Sequence, residues 1–408
     1  MQDIARTRVC GPLAPLADGF RTELDRLGYT PKSREYKVRQ MAALSRWLEG
    51  RGLGAGDVDA ARVGAFLPEL ATEHKRPPTL KAMRPLLGWL RDQGVIGADP
   101  PAPRTPVDDL MDAYRRWMVT DRSLALRTIR RYEQSARLFM AWRAADGAGT
   151  GTGTGTGTED LSAEAVTAYL LAEVSRGLAP GSLQGRVAEL RSLLRFLFLR
   201  GLTGMALAGA VPPVPGWKDR GVPPRLAASQ VAALLASCDQ ATPTGLRDLA
   251  MLLLLARLGL RASEVAGLAL DDLDWRAGEL VVRGKARRED RMPLPHDVGE
   301  ALAAYLTRAR PRAGSRAVFL TVAAPPRPLF YTSVSQMVWR QCRRAGLPPV
   351  RAHRLRHALA TRLPGLGITL AEIAPVLRQR DLATTAAYAK VDYTALRALA
   401  LPWPAVTR

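Results

Sequence analysis

Apolar positions along the first hundred residues recur at helical spacing: Leu24 and Leu27, then Met41, Leu44, Trp47 and Leu48. The spacing predicts helices through residues 1–98, ended by the joint Asp99-Pro100-Pro101-Ala102-Pro103. A second helical stretch fills residues 106–213 and closes on Pro212-Pro213-Val214-Pro215-Gly216. The two stretches resemble one another. A Tyr36-to-Trp47 helix and a later Leu86–Gly94 segment are matched by a Tyr132-to-Trp142 helix and a Leu193–Gly201 segment. Duplication explains this, although any two amphipathic bundles share such a pattern. From residue 225 the pattern is mixed. Helices dominate, but Leu280-Val281-Val282, a turn at Gly284-Lys285 and Arg291–Pro295 read as a hairpin over 278–295. The expected class is mainly α: two helical modules, 1–98 and 106–213, then a mostly helical domain over 225–408 with a small antiparallel β-sheet.

A Gly-Thr repeat between Gly147 and Thr158 has nothing apolar to bury and reads as a loop. Charge adds a partner to the picture. Lys and Arg number 59 against 38 Asp and Glu, a net +21, which favours a polyanion: DNA, RNA or an anionic membrane. Cys10, Cys238 and Cys342 stand far apart, so neither a disulfide framework nor a zinc site is suggested. Residues 1–8 are polar, and the longest apolar run, Leu249–Ala256, is too short to span a bilayer. A soluble, cytoplasmic, nucleoid-associated chain is expected.

The polar groups of the third part suit phosphoryl transfer. Arg261 lies between two apolar helical stretches, Lys285 in the hairpin turn, and His353 and Arg356 on one helix face at i, i+3. Tyr388 follows Asp381-Leu382-Ala383-Thr384-Thr385 on a late helix. Guanidinium forks match the oxygens of an attacked phosphodiester, on which charge gathers. A tyrosine hydroxyl can form a phosphoester, and a lysine can protonate a leaving 5′ oxygen.

At these residues the chain resembles the tyrosine recombinases, the family of the lambda-type integrases and the Xer recombinases. The matching segments are Gly259-Leu260-Arg261-Ala262-Ser263-Glu264, Gly284-Lys285 with Arg288 and the strand to Pro295, His353–Thr361 and Asp381–Tyr388, in the family's order. The resemblance covers residues 106 to about 400 and makes 106–213 a core-binding domain. It implies that Arg261 and Arg356 clamp the scissile phosphate. Lys285 is then the general acid, His353 assists proton transfer, and Tyr388 becomes the 3′-phosphotyrosine. It implies no cofactor, ATP or metal. The implied partner is double-stranded DNA, held by a tetramer on two sites with room for related recombinase subunits. At one position the chain departs from the family. Gln379, in Val376-Leu377-Arg378-Gln379-Arg380, stands where members carry His or Trp. Gln379 can donate a hydrogen bond but cannot shuttle a proton.

Other readings stand beside this one. A type IB topoisomerase would use the same chemistry. A catalytically weakened DNA-binding accessory subunit would keep the fold, and Gln379 leaves that open. His353 and His357, at i, i+4, could hold zinc, but no Glu follows His353 and no Cys is near. Asp271, Asp272 and Asp274 could serve a two-metal nuclease, or cap a turn. The Gly278–Lys285 run lacks the spacing and the Ser or Thr of a phosphate loop. Arg283, Arg287, Arg288 and Arg291 read as DNA-backbone contacts or a solvated face, and residues 393–401 as a tail helix packing its own domain or, as the resemblance implies, docking on a neighbouring protomer.

Overall fold

The fold comes from a computed structural model that describes residues 6–73, 79–98, 103–145, 158, 160–214, 226–284, 289–363, 366–369, 371–372, 375 and 377–378. Lys285, Arg287, Arg288, Gln379, Tyr388, most of the Gly-Thr repeat and the tail lie outside these residues. The chain divides into two compact units, Met1–Asp99 with Val222–Arg408, and Pro100–Gly221.

The first hundred residues form a bundle of α1 (Ala17–Arg26), α2 (Pro31–Glu49), α3 (Ala60–Glu73) and α4 (Leu80–Asp92). Thr30 starts α2 by accepting from the Ser33 amide, with Pro31 fitted to the first helical position, and Thr79 caps α4 in the same way. Packing pairs α1 with α2, α1 and α2 with α4, and α3 with α4. Phe20, Leu24, Met41, Leu48, Val63 and Leu90 are buried between them. Of the positions that the helical spacing marked, Leu24, Met41, Leu44 and Leu48 are buried, and Leu27 and Trp47 are partly buried.

The second unit repeats the helix count: α5 (Pro106–Thr120), α6 (Leu126–Ala145), α7 (Ala163–Ser175) and α8 (Pro180–Leu199). A reciprocal cap opens α5, since Thr105 accepts from the Asp108 amide while the Asp108 carboxylate accepts from the Thr105 amide. Here α5 packs on α6, α5 and α6 on α8, and α7 on α8.

The third part contains α9 (Ala228–Ala236), α10 (Pro243–Arg257) and α11 (Ala262–Gly267), then β1 (Leu273–Asp274), β2 (Glu279–Arg283) and β3 (Glu289–Pro293). It continues with α12 (His296–Arg308), α13 (Tyr331–Arg344) and α14 (His353–Arg362). The apolar run seen in the sequence lies in α10, which is buried on nearly every side and packs against α9, α11, α12, α13 and α14. The sheet is antiparallel in the order β1-β2-β3, with Leu280 opposite Met292 and Val282 opposite Asp290. Leu280 and Val282 point into the core, as a half-buried strand requires. The chain is thus mainly helical with one small antiparallel sheet, the expected class. Among the described residues no helix is long and apolar enough to cross a membrane.

Candidate active site

Three of the six residues singled out from the sequence are described, and they converge. Arg261 is the residue from which α11 starts. Its amide donates to Glu264 Oε2 at 2.8 Å and its Nη1 to Glu264 Oε1 at 2.6 Å. The i, i+3 spacing thus lets one carboxylate cap the helix and hold the Arg261 guanidinium. Arg261 Nη2 lies 3.5 Å from the Arg378 carbonyl.

Arg356 comes from α14, three residues after His353 and on the same face. Its side chain is only 1 % exposed. Nη1 donates to the Gly259 carbonyl at 2.5 Å, and Nη2 donates to the Leu377 carbonyl. Gly259 has φ +59°, and a Cβ there would lie 3.0 Å from Leu359 and 3.1 Å from Leu377. Both the turn and the close approach therefore call for glycine in the Gly-Leu-Arg segment. The chain reverses at Leu377–Arg378, where Arg378 adopts φ +52°. That turn offers one carbonyl to each of the two candidate clamp arginines.

Glu264 and Arg378 are the site residues that sequence reasoning passed over. The Arg378 side chain is buried, donating from Nη2 to Glu264 Oε2 at 2.9 Å and from Nη1 to the sulfur of Met292 on β3. Glu264 therefore bridges two guanidiniums. Burial alone would raise its carboxyl, but the Arg261 amide and the charges of Arg378 and Arg261 outweigh burial and hold it below the usual range. The signal was in the sequence, since both residues stand inside the quoted segments, but their pairing spans 114 residues. Glu264→Gln is expected to lower the unfolding free energy by about 2 to 3 kcal/mol, because Arg378 would stay buried without a counter-charge. Denaturant unfolding of the two proteins checks this.

His353 lies on the open side of α14, near both arginines. Partial burial, then the charges of Arg356, Arg261 and Arg354, holds its imidazole below the usual histidine range. A neutral imidazole among guanidiniums can accept a proton, which suits the role expected of it. His357 packs edge-on against His353 with ring centroids 4.3 Å apart. Burial, then His353, Arg354 and Arg356, pushes its pKa down to about 4 from 6.5. A folded-state value below the unfolded one means that the unfolded chain binds more protons between these two pH values. This contribution to stability is complete above pH 6.5 and is lost as pH falls toward 4. The stability difference between wild type and His357→Gln is expected to shift by on the order of 1 kcal/mol across that window, the ring being partly solvated. Urea melts at both ends of the window measure it.

The remaining candidates resolve into local roles. Asp272 accepts from the Ala269 amide, and Asp274 accepts from the amides of Arg276 and Ala277, so these acids cap turns. Asp271 pairs with Arg316. Arg283 bonds Asp272 and Glu289, and Arg291 bonds Glu279, so carboxylates in and beside the sheet hold two of the arginines read as DNA contacts. Among the described residues no three His, Cys, Asp or Glu gather as a metal site. Lys285 belongs to the β2–β3 connection, and Gln379 and Tyr388 follow Arg378 in the chain, all outside the described residues.

Comparison with known proteins gives this site a family. Residues 224–395 match the phage integrase family. A Sinorhizobium fredii protein named as an integrase/recombinase, y4rA, is 40% identical over 97% of this chain and 95% of its own length. The tyrosine recombinase XerD of Listeria monocytogenes serovar 1/2a is 28% identical over 71% of this chain and 97% of its own. Among solved structures, a lambda integrase tetramer bound to a Holliday junction shares the fold with TM-score 0.51 and 16% identity, covering 82% of this chain and 88% of its own. With two arginines, a neutral imidazole and a full-length relative at this identity, the chain belongs to the phage integrase family of tyrosine recombinases, enzymes that break and rejoin double-stranded DNA at specific sites.

Proposed function

We propose that this recombinase cleaves DNA through a 3′-phosphotyrosine on Tyr388, with Arg261, Lys285, His353, Arg356 and Gln379 completing the site. One observation carries the reading. Arg261 and Arg356, from separate helices, both present guanidinium N–H groups to oxygens of the single turn 377–378, beside the neutral imidazole of His353. The forks that meet carbonyl oxygens there match the non-bridging oxygens of a phosphodiester, and DNA engagement exchanges one set for the other. Glu264 positions Arg261 for this exchange. The Tyr388 oxygen attacks phosphorus and forms the phosphotyrosine as the bond to the 5′ oxygen breaks. Lys285 supplies the proton that this oxygen takes up, and His353 relays the proton from Tyr388. Gln379 donates one hydrogen bond to the phosphate. Rejoining is the reverse.

Residues 106–213 act as the core-binding module and 225–408 as the catalytic module, held on two DNA sites as a tetramer in the cytoplasm. The tetrameric state of the lambda integrase that shares this fold supports the assembly. A duplex from the sequences flanking the gene, nicked beside the cleavage site so that the cut fragment diffuses away, tests the chemistry. In EDTA it is expected to yield a protein–DNA adduct that survives denaturing electrophoresis. Binding of that duplex without an adduct would instead favour the accessory-subunit reading.

A further inference from the structure

The two four-helix bundles agree below the level of helix count. Packing pairs correspond one for one: first helix with second, first and second with fourth, third with fourth. Phe20 and Trp89 meet at 5.4 Å and 43°, and Tyr114 and Phe196 meet at the equivalent positions at 5.1 Å and 42°. In each bundle the second helix buries a glutamate, Glu35 or Glu133, that pairs with an arginine of the first helix, Arg21 or Arg115. A buried carboxylate is costly, so two unrelated bundles have no reason to share one at the same place. The fourth helices end alike as well. Gly94 and Gly201 have φ +68° and +67°, and the next amide reaches back to Leu90 or Leu197 at 3.0 and 2.9 Å.

The first bundle carries a basic face. Lys32, Tyr36, Arg39 and Arg46 form one exposed stripe along α2, opposite its buried face. Lys81 and Arg84 stand exposed on the first turns of α4, which Lys37 ties to α2 by donating to the Ala82 carbonyl at 2.5 Å. No carboxylate pairs with Lys32, Arg39, Arg46, Lys81 or Arg84 among the described residues, whereas Arg6, Arg21, Arg26 and Arg34 on and around α1 are all paired. These five cations thus lie on α2 and α4, while Arg8 stands exposed ahead of α1.

We infer that residues 13–96 are a second copy of the α5–α8 fold whose α2–α4 face is a further grip on the phosphate backbone of duplex DNA. The inference rests on the recombinase reading only in taking DNA as the partner. Lys32 to Arg46 spans about 21 Å, the length of about six phosphates of one strand, and Tyr36 between them adds a hydroxyl donor. A membrane-binding helix would insert a continuous apolar face, whereas the exposed large apolar side chains described on α2 and α4 are Tyr36 and Leu80 alone.

The test uses the full chain and a fluorescent duplex of random sequence, about 40 base pairs long, with affinity followed against salt. A variant with Lys32, Arg39, Lys81 and Arg84 all changed to alanine is compared with one in which the ion-paired Arg6, Arg26, Arg51 and Arg62 are changed to alanine. Both lose the same formal charge. The first is expected to flatten the slope of log K against log salt by about 3 to 4 and to weaken binding at least tenfold at about 0.1 M salt. The second is expected to leave the slope within about one unit of wild type. Equal slopes for the two variants would overturn the inference. The adduct assay on the nicked duplex is run on the same proteins. Loss of adduct in wild type counts against the Tyr388 chemistry and leaves the slope comparison standing.

Discussion

Tyr388→Phe is expected to abolish the covalent protein–DNA adduct, lowering strand cleavage by about 10⁴-fold or more, while DNA affinity stays within about twofold of wild type. The substitution removes a single oxygen and leaves the ring, so packing and the positive surface are unchanged. No other described group of the site can replace the oxygen. Arg261 and Arg356 are permanently charged donors, and His353 is a base in an electropositive setting. Binding without cleavage is therefore the expected signature, measured by filter binding and denaturing gels on the same duplex. Residual adduct at more than a few per cent of wild type would move the nucleophile elsewhere.

Arg356→Ala has the second largest expected effect, and it acts on fold and chemistry together. The guanidinium is almost wholly buried and donates to Gly259 on one side and Leu377 on the other. Removal leaves two carbonyls without their donor and a cavity beside Gly259, so a stability loss of about 3 kcal/mol is expected. Loss of the phosphate fork is expected to slow cleavage by about 10³-fold. Arg356→Lys separates the two effects. An ammonium keeps the charge but cannot reach two oxygens in fixed directions, so stability should recover by about half while cleavage stays at least about 10²-fold down. Thermal unfolding and single-turnover cleavage on both variants measure the two quantities. Full recovery of cleavage in the lysine variant would mean that charge alone, without the fork, is what Arg356 supplies.

How far the sequence carries can be judged from particular residues. The bundle helices were visible because Met41, Leu44 and Leu48 repeat at a period that only a helix turns to one side. The hairpin was visible because the apolar run Leu280-Val281-Val282 precedes a Gly-Lys turn, and β2 pairs antiparallel with β3. Strand β1 was missed; at two residues, Leu273–Asp274, it carries no periodicity. Arg261, His353 and Arg356 were legible from local segments, and their convergence follows from α11 and α14 both bordering α10. The fate of Arg283 and Arg291 was not legible. Whether an arginine faces DNA or a neighbouring strand's carboxylate depends on register, and here Glu289, Asp272 and Glu279 take them. The same limit hid the Glu264–Arg378 pair, which exists only once the chain has folded back across more than a hundred positions.

The central claim is the identity of the nucleophile, and peptide mapping of the adduct tests it most directly. Trypsin cuts after Arg380 and Lys390, which releases Asp381–Lys390 with Tyr388 as its only tyrosine. After nuclease digestion of the trapped complex, fragment-ion spectra are expected to place the residual nucleotide mass on Tyr388. The same mass on any other residue, or on a peptide that lacks Tyr388, would contradict the account.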